Sequence, residues 1–211
     1  ISLAEQEIFE WVALLEPSAY QSDRTILSGR HELDIVVPNK KIAIEFNGLY
    51  WHSDEFKNIT YHLDKTTQCE EVGYKLIHIF EDEWHNNKHI VKSRLKAALN
   101  KIDTVVYGRK CKVQSITSKV ANAFVRRHHL QGSGRANVHL GLYHDDELVS
   151  VMTFLNGDIS KRVTSWELNR FVSKVDTVVV GAANKLFKFF LNEYTPETVT
   201  SFADRRWSSS N

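Results

Sequence analysis

The sequence predicts an α/β protein made of two domains, and three observations carry the prediction. Residues 1–108 alternate helix-period and strand-period stretches in the order helix, strand, strand, helix, strand, helix. Around residues 101–112 the pattern starts again. The charge also changes sign: residues 1–108 hold 12 Lys+Arg against 17 Asp+Glu, a net of −5, and residues 109–211 hold 15 against 9, a net of +6. The whole 211-residue chain is near neutral at +1, so an acidic half followed by a basic half points to different jobs.

The elements follow in order. Ser2-Leu3-Ala4-Glu5 reads as a capping box, and Ile8, Trp11, Val12 and Leu15 continue as an apolar stripe until Pro17. Glu5 lies over that stripe. Residues 32–37 and 41–47 read as strands joined by a Pro38-Asn39-Lys40 turn. Residues 59–72 read as a helix with Ile59, Leu63, Cys69 and Val72 inside, closed by Gly73. A strand over 74–80 and a helix over 84–100 complete the first domain. In the second, residues 117–130 read as a helix and 137–143 with 147–154 as a hairpin around His144-Asp145-Asp146. A strand over 165–172, a helix from Gly181 to about Asn192 and a strand over 199–203 follow.

Composition excludes several classes. With 42% hydrophobic residues the chain is neither disordered nor fibrous. No apolar run approaches the ~20 residues needed to span a bilayer, and no signal peptide opens the chain, so no membrane partner and a cytoplasmic location are expected. Cys69 and Cys111 are the two cysteines, which rules out a disulfide scaffold and fits a reducing compartment. The chain starts at Ile1 and stops at Asn211, so either end can be a cut in a longer protein.

The chemistry gathers in the first half. Strand alternation sets Asp34 and Val36 on one face, and Ala43, Glu45 and Asn47 on one face of the next strand. If the strands pair as a hairpin, Asp34 comes near Glu45 and Asn47. Two carboxylates and an amide oxygen are hard ligands suited to Mg²⁺ rather than Zn²⁺. Asp34 can equally be an ordinary exposed strand residue. Glu45 lies in an otherwise apolar stretch, where an unpaired carboxylate is costly. His52, after Gly48-Leu49-Tyr50-Trp51, is either a surface residue or a group that activates water beside a metal. Tyr50 and Trp51 are either a wedge that enters DNA between base pairs or caps of the core. His62, Lys65 and His78 read first as helix or strand surface and second as phosphate contacts.

Asp34, Asn47-Gly48-Leu49-Tyr50-Trp51-His52, Asp64 and Gly73-Tyr74-Lys75-Leu76-Ile77-His78-Ile79 together resemble the very-short-patch-repair (Vsr-like) endonucleases. They are closer still to the related EDxHD homing endonucleases of phages. The resemblance covers roughly residues 2–100 and implies a restriction-endonuclease-like first domain over 1–108. It implies a catalytic set of Glu5, Asp34, Asn47, His52 and Asp64. Asp34 would bind the metal, His52 would prepare the attacking water and Asp64 would orient His52; Glu7 is a neighbour that could displace Glu5. The metal would be Mg²⁺, with Mn²⁺ able to substitute, bound by Asp34 with Glu45. The substrate would be double-stranded DNA and the product a 5′-phosphate. The sequence also departs from its relatives. The lysine of the wider PD-(D/E)xK superfamily is replaced by Asn47. Leu49 stands where the repair enzyme has a zinc-binding cysteine, so no zinc is expected.

Residues 109–211 resemble the acetyltransferase-like fold and the phage proteins akin to the Mom DNA-modification enzyme. Gly141-Leu142-Tyr143, Glu147 to Val151 and Trp166 to Phe171 match its central strands. Val180-Gly181-Ala182-Ala183-Asn184 matches its pyrophosphate loop, although the same turn is also an ordinary helix start. Val178 stands where that loop should carry Gln or Arg, and the closing helix is missing. No cofactor-binding residues are therefore assigned. The basic residues Arg126, Arg127, Arg135, Arg205 and Arg206 are candidate DNA contacts, with Arg135 in a Gly-rich loop flexible enough to follow a backbone. The expected function is a Mg²⁺-dependent DNA endonuclease, a phage homing enzyme nicking or cutting a long site. The alternatives are a repair or host-DNA-degrading nickase, an acyltransferase-type modification enzyme whose first half only binds, and a binding module with a decayed nuclease site.

Overall fold

The computed structural model describes residues 2–29, 31–48, 55–156 and 165–207, and for residues 55–60 the backbone alone. It is a mixed α/β structure whose chain forms two compact units, residues 1–91 with 204–211, and residues 92–203. The expected boundary at 108/109 therefore moves. Val105–Tyr107 pairs with Val178–Val180 as a parallel two-stranded ribbon, which ties residues 101–112 to the second unit. With these boundaries the charge separates further. The first unit carries 10 Lys+Arg against 17 Asp+Glu, a net of −7, and the second carries 17 against 9, a net of +8.

In the first unit, α1 (Leu3–Leu15) opens with the capping box: Glu5 N donates to Ser2 Oγ at 3.1 Å, and Ser2 N to Glu5 Oε2 at 3.4 Å. Strand β1 (Tyr20–Asp23) was not foreseen. Its end is set by the Asp23 carboxylate, which accepts from Thr25 N and Ile26 N at 2.9 and 2.8 Å and so turns the chain. Strands β2 (Leu33–Val37) and β3 (Ile42–Asn47) form the expected hairpin, with Lys41 at φ 52° after the Pro38–Lys40 turn. Helix α2 (Glu55–Glu71) then crosses over to β4 (Lys75–Phe80), which lies parallel to β3 in the sheet order β1-β2-β3-β4. β3 is buried along nearly its whole length, as a strand covered on both faces must be. Helix α3 (Glu81–Ala98) kinks at Asn87.

The helix expected over 59–72 exists, but its phase differs. Leu63 and Val72 are exposed, and the buried face is carried by Lys65 and Cys69.

The second unit begins with the ribbon strand β5 (Val105–Tyr107) and a 3-10 turn at Gly108–Lys110. A five-stranded sheet follows, ordered β11-β9-β8-β7-β6. Its strands are β6 (Lys112–Ser115), β7 (Val138–His144), β8 (Glu147–Asn156), β9 (Ser165–Ser173) and β11 (Thr198–Ser201); the other ribbon strand is β10 (Val178–Val180). All neighbours in the sheet are antiparallel except β11 and β9. Helix α5 (Ala182–Tyr194) buries Leu186 and Phe190 against Leu140, Met152 and Phe154. Helix α4 (Ser118–His128) buries Ala121 and Val125 against Val151 and Val172. Val151 and Met152 are consecutive in β8, so the two helices cover opposite faces. The hairpin turn has Asp145 and Asp146 at φ 45° and 65°, as a two-residue primed turn requires.

The tail returns to the first unit through Arg206, which corrects its reading as a DNA contact. All five of its donors are used. Nη1 and Nη2 reach Glu83 Oε2 and Oε1 at 2.9 Å each, Nη1 reaches His78 O at 3.3 Å, and Nε and Nη2 reach Asp204. No donor is left for a phosphate. Burial without these partners would be costly; with them the guanidinium is held charged. Arg206→Ala is expected to destabilise the protein by about 1–3 kcal/mol, because two half-shielded carboxylates lose their cation. An unchanged urea midpoint for this variant would show that the tail is not anchored there.

Candidate functional site

The β2–β3 register pairs Ile35 with Ile44 and Val36 with Ala43. Continued by one residue, it sets Asp34 opposite Glu45. The Asp34 Oδ2 atom accepts the Phe46 backbone N–H at 2.8 Å, so the side chain takes a bond that the ladder leaves open. On the other side β3 pairs with β4, Glu45 beside His78. The expected juxtaposition of Asp34, Glu45 and Asn47 is thus present on one face of the sheet, beneath α2.

Lys65 reaches this face from α2, and its Nζ forms an ion pair with Glu45 Oε1. Lys65 is 1% exposed and Glu45 is 8% exposed. Glu45 Oε2 is buried and makes no hydrogen bond among the described residues. Burial first, and the Asp34 charge second, push the Glu45 carboxyl up to about 7 against the pull of Lys65. Burial likewise raises Asp34 to about 6; the Phe46 N–H opposes this and the Glu5 charge adds to it. Glu7 is engaged elsewhere, accepting from Trp84 Nε1 at 3.2 Å and Lys88 Nζ at 2.8 Å.

Asn47 and His78 make a second buried pair. Asn47 Nδ2 and His78 Nδ1 are 3.2 Å apart, and His78 Nε2 lies 3.0 Å from Thr66 Oγ1. The Thr66 hydroxyl donates its one proton to His62 O at 2.8 Å, so it can only accept from His78. The Asn47 amide nitrogen can only donate. Both partners therefore select the neutral tautomer with its proton on Nε2. Burial, the neighbouring His62 and Lys65 lower the His78 pKa to about 3. Lys65 and His78 are thus interior groups, which corrects their first reading as surface.

The other candidates fall as follows. Asp64 is exposed on α2, and Lys65 one residue on takes the inward position. Tyr50, Trp51 and His52 lie outside the described residues. Arg126, Arg127 and Arg135 are exposed on the second unit, and Arg205 on the first, 3.4 Å from Glu70. The loop carrying Arg135 is not loose: Arg170 Nε donates to Gly132 O at 3.1 Å, and a Cβ at Gly134 would run into Asn169 Oδ1. Lys65 is the residue that sequence reasoning missed. Its signal was the spacing: it stands four residues before buried Cys69, in phase with the inner face.

Among the described residues no group of three or more His, Cys, Asp or Glu is gathered closely enough to hold a metal ion. The pair Asp34 and Glu45 nonetheless fits a Mg²⁺ ion, which keeps several waters and takes one or two carboxylates. A buried and a half-buried carboxylate side by side, with one carboxylate oxygen making no hydrogen bond among the described residues, are what a divalent cation would relieve. Cys69 and Cys111 lie in different units. Among the described residues no helix is long and apolar enough to cross a membrane.

No protein-family model matches the chain, and no curated protein matches it. Among solved structures it is similar to a ribosomal-protein-alanine N-acetyltransferase from Brucella melitensis biovar Abortus 2308. The similarity covers 45% of this chain and 81% of that one, at 17% identity and a TM-score of 0.34. The functional reading rests on the side chains instead.

The two raised carboxyls have a pH consequence. Each has a folded pKa above its unfolded value, so its stabilising contribution is complete below about 4 and is lost as pH rises through 6 to 7. His78 acts in the opposite direction, but it cancels when Asp34→Asn is compared with wild type. In EDTA the variant is expected to gain on wild type as pH rises from about 4 to 7, by about 1–3 kcal/mol at the upper end. Thermal melts at several pH values measure this; a gap that stays constant would mean that Asp34 is not held against its charge.

Proposed function

We propose that the protein is a Mg²⁺-dependent DNA endonuclease of the EDxHD type, hydrolysing phosphodiester bonds at the first-unit site. The observation that carries this reading is buried Glu45 opposite half-buried Asp34, with Lys65 on one Glu45 oxygen and the other oxygen making no hydrogen bond among the described residues. A like-charge pair under a helix costs stability, and proteins keep such pairs where a cation or a reaction needs them. The reading is supported by Asp34 lying opposite Glu45 and by Asn47 lying at the end of β3.

Asp34 and Glu45 would hold the ion, which when bound supplies charge neutralisation at the scissile phosphate and a more acidic water. The chain's own residues do the rest. Lys65 fixes Glu45 through Oε1, so Oε2 keeps one direction. It also supplies a positive charge that the Asn47 position lacks. His78 and Thr66 hold Asn47 in one orientation. The neutral state of His78 adds no charge to compete with the cation. His52 remains the proposed water-preparing residue, with Asp64 as its proposed partner.

The biological reading is a phage homing endonuclease nicking or cutting a long site, with a repair or host-DNA-degrading nickase as the alternative. The acyltransferase reading of the second unit rests on the resemblance of its strands and of the turn before α5. Fold alone does not carry activity. Gly108 also packs on the start of α5, where a Cβ would lie 2.9 Å from Val180 O and 3.4 Å from Ala182 N. The chain's own backbone thus occupies one side of the turn that would seat a pyrophosphate.

Two measurements test the proposal. Mg²⁺ is expected to raise the melting temperature of the wild type and not of Asp34→Ala, since a ligand of the native state stabilises it by mass action. Supercoiled plasmid carrying random inserts is expected to be relaxed or linearised with Mg²⁺, but not with EDTA or by Asp34→Ala. Cleavage that persists in Asp34→Ala would reject this site, and a wild type that neither responds to Mg²⁺ nor cleaves would reject the nuclease.

A further inference from the structure

We infer that the groove between edge strand β6 and helix α5 binds the phosphate backbone of DNA. The inference rests on reading the chain as a DNA enzyme, and it locates the affinity in a place that none of the predicted basic clusters occupies. The groove has a volume of about 490 Å³, within the range of ligand sites. Lys112 on one side and Lys185, Lys188 and Asn192 on the other surround a floor that includes Val113 and Phe189.

Three features suit a polyanion. The lining holds three cations and no carboxylate. The charge of Asp145, in the exposed β7–β8 turn, acts on Cys111 at the edge of the lining. Lys185, Lys188 and Asn192 follow one another at three- and four-residue spacing, so they form one row along the helix. From Lys185 to Asn192 the helix rises about 10 Å, roughly three steps of 3.4 Å along one DNA strand. Lys185 is also a fixed point: its ammonium donates to Gly108 O and Cys111 O. That bond holds the Gly108–Lys110 turn beside the groove, and with it the exposed Arg109 and Lys110. Five cations therefore gather at one end of a unit whose net charge is +8. Among the described residues edge strand β6 has no partner strand on its outer side, so they leave the approach to Lys112 open.

Binding of a labelled DNA duplex, followed by fluorescence anisotropy in EDTA across a salt series, tests the inference. The variant is Lys112→Gln with Lys188→Gln; both residues are exposed, and an unchanged melting curve checks the fold. Each phosphate that the protein no longer neutralises flattens the plot of log K against log salt by about 0.9, so the double variant is expected to lower the slope by about 2. Lys119→Gln, at the start of α4, serves as control and is expected to leave the slope unchanged. A slope unaltered by the double variant, or a wild type that does not bind duplex, overturns the inference. Its failure is separable from that of the nuclease reading. Wild-type binding that is insensitive to the groove lysines, together with Mg²⁺-dependent cleavage abolished by Asp34→Ala, rejects the groove alone. A groove-dependent slope without any cleavage rejects the nuclease alone.

Discussion

Asp34 and Glu45 face each other across neighbouring strands, Glu45 buried and Asp34 half-buried. Their mutual repulsion is the constraint around which the first unit is arranged. Helix α2 turns a lysine inward rather than an apolar residue, because an uncompensated buried carboxylate costs more than a buried ion pair. β3 carries Glu45 and Asn47 within an otherwise apolar strand, and β4 answers with His78. That histidine is neutral and has both nitrogens engaged, while Glu45 Oε2 makes no hydrogen bond among the described residues. A fully satisfied layer would be a structural device. A layer with one unused oxygen and two raised carboxyls retains capacity for a ligand.

Much of this layer was legible in the sequence. Residue alternation along two short strands, joined by a Pro-containing turn, was enough to bring Asp34 to Glu45 and Asn47. Glu5 was legible through its capping box and its position over the helix stripe. Lys65 was not, because apolar residues alone were used to phase α2. Leu63 and Val72 suggested a stripe that is in fact exposed, and the true inner face mixes Lys65, Thr66 and Cys69. A short helix with scattered apolar residues leaves its phase open until a neighbour closes it.

The small strands were missed for a related reason. β1 is four residues ended by an aspartate turn, and β5 and β10 are three residues each. Strands so short have no periodicity to read, and their existence depends on partners far away in sequence. The same distance hid the true boundary, since the pairing of β5 with β10 spans more than seventy residues. Arg206 was misjudged for want of tertiary information as well. A basic dipeptide beside tryptophan looks like a nucleic-acid contact until Glu83, Asp204 and the His78 carbonyl are seen to claim the donors of Arg206.

The return of residues 204–207 makes the first unit discontinuous in the chain, with the second unit inserted into it. On the ribosome, the sheet, α2 and most of α3 are made early, while Glu83 waits for a guanidinium encoded more than a hundred residues later. The contact between Glu83 and Arg206 closes the first unit over the whole length of the second in sequence. Completion of the acidic unit is thereby tied to synthesis of the basic one, and the chain cannot finish the first without having made the second.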